Sequence, residues 1–175
     1  AETSMEGYHI KALHNESFYP FGFDNLNVVE TFGPNSRIIF PFRRIEKLRD
    51  VPPAERRLLG MVTDVFQLFP NTHISVLSPH THVIILEPLA PDRTEYVFYR
   101  LSNRGDDPEA SLERAKKDAA FLKDGGLTED REAANAIFRG LKTGGNSHLT
   151  FGRFEPAIVH FHQNMAAMMD KLAAA

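Results

Sequence analysis

Apolar positions in this chain change their period at one place. Between Asn25 and Leu101 they gather in short β-type runs, and after Gly105-Asp106-Asp107-Pro108 they recur at helical spacing. Leu26 to Phe32 and Arg37 to Phe42 read as strands joined by Gly33-Pro34-Asn35, residues suited to a tight turn, so the spacing predicts a hairpin. Three more β-rich runs follow, at Val62 to Phe69, at Ile74 to Leu86 with a break near Pro79, and at Glu95 to Leu101. Turn signals at Pro70-Asn71 and from Pro88 to Arg93 separate them. Short links between consecutive strands imply an antiparallel meander. The charged stretch from Arg43 to Leu59, broken by Pro52-Pro53, predicts a surface segment with a short helix through Ala54 to Leu59. Helices are predicted near Glu109 to Lys123, Thr128 to Lys142 and Glu155 to Leu172, with Gly125-Gly126 and Gly144-Gly145 as stops. At the start, Met5, Tyr8, Ala12 and Glu16 recur at helical spacing behind Thr3 or Ser4, predicting a helix from Glu2 to about Glu16. Strands followed by helices give an α+β fold, an antiparallel twisted sheet packed against helices.

Composition narrows the chemistry. A chain of 175 residues, 42% hydrophobic and 25% charged, fits one globular domain spanning 1–175. The formal net charge of -3 gives no basis for nucleic acid or an anionic membrane as partner. No apolar run approaches the roughly 20 residues that span a bilayer, and Ala1-Glu2-Thr3-Ser4 is not a signal peptide, so a soluble cytoplasmic protein is expected. The absence of cysteine excludes disulfides, thiolate catalysis, sulfur-held zinc and any iron–sulfur cluster bound by this chain. A metal here must be held by nitrogen and oxygen.

Candidate ligands cluster near the start. In Glu6-Gly7-Tyr8-His9-Ile10-Lys11-Ala12-Leu13-His14, an acid precedes one histidine by three residues and a second follows five later. On an ideal helix Glu6 and His9 share a face, whereas His9 and His14 diverge by about 140°. A shared metal therefore requires an i to i+5 wide turn or a helix that ends near Leu13. An ordinary helical pair of histidines remains the plainer reading of that spacing. Farther on, Ala134, Ile137, Phe138 and Leu141 form an apolar stripe that Asp130 extends, while Glu129, Arg131 and Glu132 lie off it. A carboxylate aimed at the core needs a partner, and a metal would serve. A first-turn acid complementing the helix dipole is the competing reading of Asp130.

Other histidines carry less. His80 and His82, two apart on a strand, share a face, but Pro79 marks a bend at the sheet edge and no third ligand is evident. His160 and His162 diverge by about 200° on a helix, and His73 and His148 read as loop residues. Met165, Met168, Met169 and Leu172 read as core or interface packing.

Taken in order, Met5-Glu6-Gly7-Tyr8-His9 with His14, Phe69-Pro70-Asn71, Pro91-Asp92-Arg93-Thr94, the Glu129-Asp130 helix ending in Arg139-Gly140-Leu141, and His160-Phe161-His162 resemble the catalytic (C-terminal) domain of Rieske non-haem iron ring-hydroxylating oxygenase α subunits. The resemblance spans nearly the whole chain. It implies a helix-grip (START-like) fold and an enzyme that activates O2 at a mononuclear Fe(II) to hydroxylate an aromatic or other apolar substrate, as mono- or dioxygenase. By carry-over His9, His14 and Asp130 form a 2-His-1-carboxylate iron site, and Glu6 bridges electron transfer from a Rieske cluster on a neighbouring subunit. Glu6 stands where Asp is commoner, and Phe138 where Gln is frequent. Phe18, Phe23, Phe66, Val83 and Ile85 are the expected substrate-lining residues. The resemblance further implies a homotrimer, a ferredoxin or reductase as electron donor, and an upstream Rieske 2Fe–2S domain that this chain lacks along with the first strand, as in a truncated or partly observed polypeptide. The alternative is a metal-free helix-grip module that binds hydrophobic ligands; it separates from the oxygenase on whether His9, His14 and Asp130 converge.

Overall fold

The computed structural model describes residues 12–16, 19, 27–77, 80–102, 107–122, 128–145, 147–153 and 155–174. Six strands, β1 Val28–Phe32, β2 Asn35–Pro41, β3 Val62–Leu68, β4 Thr72–Val76, β5 His80–Ala90 and β6 Arg93–Ser102, form one antiparallel sheet in the order of the sequence. The meander follows from its turns. Between β1 and β2, Gly33 takes φ 58° and Pro34 fills the second position, the arrangement a two-residue II′ hairpin turn asks for. The long β5–β6 pair shifts register between Pro88 and Ala90, so β5 continues through the predicted turn as far as Ala90. The segment after β2 holds only the 3-10 turns Arg43–Leu48 and Pro53–Glu55. The expected helix over Ala54 to Leu59 is absent because Pro53 opens a turn that Arg56 ends in extended conformation.

Helices α1 Pro108–Leu122, α2 Thr128–Lys142 and α3 Pro156–Ala173 follow, close to their predicted bounds. Among the described residues none is long and apolar enough to cross a membrane. Pairing fixes what each side of the sheet carries. Val29, Ile38, Val65, Ser75, His82 and Arg100 form one row across all six strands. The adjacent row on the same side is Thr31, Ser36, Gln67, His73, Ile84 and Phe98. The β1–β3 half of this side is apolar: Ile38, Phe40 and Val65 close against Ala157 of α3, with Tyr19 and Val29 packed beside them. The β5–β6 part lies beside α1, which buries Ser111, Ala115 and Ala119 along one stripe.

Helix α2 departs from expectation. None of its residues is fully buried, and Ile137 and Leu141 of the predicted core stripe are about half exposed, at 51% and 47%. Among the described residues its first turn reaches the site discussed below.

The core side of the sheet can be tested directly. Ile38→Ala is expected to cost about 2–4 kcal/mol, whereas Ile39→Ala, half-buried on the opposite face, should cost less than half as much. Urea midpoints at constant m-value read the difference, and equal losses would place the core on the wrong side.

Candidate metal centre

Residue 12 is helical and residues 13–16 turn away from the helix axis, so His14 sits just past a helix end. The Tyr19 N–H donates to the His14 carbonyl at 2.9 Å, an i to i+5 bond, while the Tyr19 ring packs against the Ile38 core and under the Arg43 guanidinium at 5.8 Å. This wide turn follows His14 and ties its backbone to the sheet through Tyr19, whereas the turn expected between His9 and His14 lies largely outside the described residues.

The His14 ring is 2% exposed and meets the first turn of α2. Its Nδ1 is 2.5 Å from Glu129 Oε2, and its Nε2 is 3.2 Å from Asp130 Oδ1. Burial pushes the imidazole pKa down, but hydrogen bonds to Asp130 and Glu129 and the charges of both outweigh it, holding the pKa above its ordinary value. Consecutive acids reach opposite ends of one ring because the helix start fans their side chains apart. A reading of the helix stripe alone gave Asp130 a role and left Glu129 to solvent; the structure engages both.

The donor set suits a hard or borderline divalent ion with nitrogen and oxygen ligands. Two donors placed cis on an octahedral metal at ~2.1 Å lie about 3 Å apart, close to the His14 Nε2 to Asp130 Oδ1 distance of 3.2 Å. A carboxylate on Nδ1 is the arrangement that orients a ligating histidine, with a metal taking the place of the Nε2 proton that now faces Asp130. Among the described residues no set of three such donors closes around one point. His9, Glu6, Phe18 and Phe23 lie outside the described residues.

The remaining expected site residues fall elsewhere. Phe66 pairs with Ile74 and Arg37, Val83 with Ile74 and Tyr99, and Ile85 with Thr72 and Val97, all on the sheet face turned away from the helices. Phe66 lies under the Arg37 guanidinium at 5.9 Å. Strand alternation gives the reason: their strand neighbours Val65, His82 and Ile84 occupy the helix-facing side, which turns these three to the other. That side carries polar groups that sequence reasoning missed. His73 is a β4 residue, not a loop residue, 8% exposed, with Nε2 2.9 Å from Ser75 Oγ. Burial drives its pKa down to about 3, against the pull of the Asp130 charge, so it is neutral. Partial burial, and then the same Asp130 charge, push the Tyr96 pKa up. The T-H-I-S-V alternation of β4 was the available signal. His80 and His82 lie inside the sheet on β5, between β4 and β6, and not at its edge. His162 packs by Phe151 at 5.3 Å while His160 lies beside Asn164, and the two do not meet.

Residues 1–171 match the family described as ring hydroxylating alpha subunit (catalytic domain). A search of curated proteins finds no relative. Among solved structures, a crystal structure of the quaternary ammonium Rieske monooxygenase CntA in complex with an inhibitor superposes with a TM-score of 0.69 at 18% identity, over 95% of this chain and 44% of that one. The likeness supports the α+β helix-grip architecture, and this chain spans less than half the length of that enzyme.

Proposed function

Because the chain belongs to the ring-hydroxylating α subunit catalytic domain family, we propose that it is the oxygen-activating domain of a Rieske-type oxygenase, acting on an aromatic or other apolar substrate. The observation that carries this reading is the His14 ring held between Glu129 on Nδ1 and Asp130 on the Nε2 side. His9, His14 and Asp130 would hold Fe(II), which when bound would supply open coordination positions for dioxygen and a redox centre that passes on electrons delivered by the Rieske cluster. His14 would give a nitrogen donor once a metal takes the place of its Nε2 proton, Asp130 would give an anionic oxygen, and the Tyr19–His14 backbone bond keeps the histidine in place. Glu129 accepts the Nδ1 proton and so orients the ring. Glu6 would carry the electron path from a Rieske cluster on a neighbouring subunit of a homotrimer, itself served by a ferredoxin or reductase in the cytoplasm. Neutral His73 and the Tyr96 side of β6 would border the substrate space.

The test is oxygen isotope transfer. The Fe(II)-loaded chain, given a reduced Rieske donor, an aromatic substrate panel and labelled dioxygen, is expected to place label in a hydroxylated product, one atom or two distinguishing mono- from dioxygenation. His14→Ala should abolish transfer; transfer indifferent to that change would refute the reading. Glu129→Gln, which keeps an acceptor but loses the charge, is expected to weaken Fe(II) binding by about 10–100-fold, read by anaerobic competition with a chelator.

A further inference from the structure

The row that starts as Val29, Ile38 and Val65 ends as Ser75, His82 and Arg100, so the helix-facing side turns polar at β4. His80 lies two residues before His82 on the same face, their ring centroids 4.4 Å apart. Both rings are buried, His80 at 0% and His82 at 6% exposure, and burial holds both pKa values down, so both are neutral. A buried polar group without a hydrogen bond costs about 1–3 kcal/mol, which makes each ring nitrogen informative. Arg100 Nε donates to His82 Nε2 at 3.2 Å, so His82 keeps its proton on Nδ1. Among the described residues neither nitrogen of His80 has a hydrogen-bond partner, and Asp118 Oδ2 stands 4.0 Å from Nδ1, beyond direct reach. Arg100 is exposed, stacks over the Phe98 ring at 5.3 Å, and forms no ion pair with a described carboxylate. A fixed guanidinium with unused N–H groups thus adjoins an imidazole N–H and an unsatisfied buried imidazole. The guanidinium repels a metal ion and already holds the His82 lone pair, so the donor surplus suits an anion.

We propose that His80, His82 and Arg100 bind a carboxylate group of the substrate, whose apolar part extends past His73 toward His14 and Asp130. His73 stands on the same sheet face, paired with Ile84 two residues along β5 from His82. The carboxylate site stands on its own residues; the direction of the apolar part rests on the oxygenase reading.

The test uses the iron-free chain at fixed ionic strength, with benzoate and hexanoate as probes beside benzamide and hexanamide, and binding followed by titration calorimetry. At least one carboxylate is expected to bind about ten-fold or more tightly than its matched amide, and Arg100→Gln should remove that preference. Arg100 is an exposed edge-strand residue, so the variant should fold, which circular dichroism checks. His82→Gln should weaken the preference without abolishing it. No carboxylate preference, or one that survives Arg100→Gln, overturns the proposal. Iron uptake by the same preparations keeps the two readings apart. A carboxylate preference in a chain that takes no iron leaves this subsite and removes the oxygenase reading, and iron uptake without the preference does the reverse.

Discussion

Lowering the pH from 6.5 to 4.5 is expected to remove about 4–5 kcal/mol of folding stability, through His73 and His82. Each imidazole is buried, at 8% and 6% exposure, and each has its folded pKa pressed from 6.5 to about 3. In this window the unfolded chain therefore holds protons that the folded chain refuses. Stability rises with pH there and falls as acid is added, by up to about 1.4 kcal/mol per pH unit per histidine once the pH is well below 6.5. His80, pushed the same way, adds to the slope, whereas His14, pushed up by its carboxylates, opposes it near neutrality. Against a total of roughly 5–15 kcal/mol for a domain, a loss of this size brings the chain close to unfolding. Urea midpoints across this range measure it, and His73→Gln should cut the slope by nearly half. A flat profile would mean that these rings stay hydrated in the folded state.

Asp130→Ala is expected to lower Fe(II) affinity by more than about 100-fold, beyond the ~10–100-fold that a residue orienting a ligand carries. The substitution removes the anionic donor at 3.2 Å from His14 Nε2 and leaves an imidazole as the described remnant of the site. Asp130 is 33% exposed on the first turn of α2, so the helix should persist. Asp130→Asn keeps the shape and one oxygen and should fall between. Anaerobic chelator competition ranks the variants as Asp130→Ala weakest, then Asp130→Asn, then Glu129→Gln. If Glu129→Gln proves the weakest of the three, the two acids exchange roles, with Glu129 the ligand.

What could be read from the sequence followed what the physics makes local. Gly33-Pro34 announces its hairpin because few other pairs adopt that turn, and short links force the meander. Helix bounds were legible from glycine stops and apolar period. Relations between distant elements were not. The stripe of α2 shows that the helix is amphipathic, yet nothing in its spacing says what it packs against, and Ile137 and Leu141 stay exposed. Phe66, Val83 and Ile85 were assigned to the wrong face because the parity of a strand is invisible until one residue is tied to a helix. Once Ile38 meets Ala157, register settles every other position. The Pro70-Asn71 turn signal hid the strand that begins at Thr72, and with it His73. His14 and Asp130, separated by more than a hundred residues, were paired by family resemblance, and the structure brings them to 3.2 Å.

The most direct test of the account is the iron content of the chain itself. Anaerobic protein is mixed with excess Fe(II), freed of loose metal by gel filtration, and analysed beside His14→Ala and Asp130→Ala. The account predicts about one iron per native chain and almost none in either variant. Native protein that retains no iron, or iron that persists through both substitutions, would contradict the assignment of His14 and Asp130 as metal ligands.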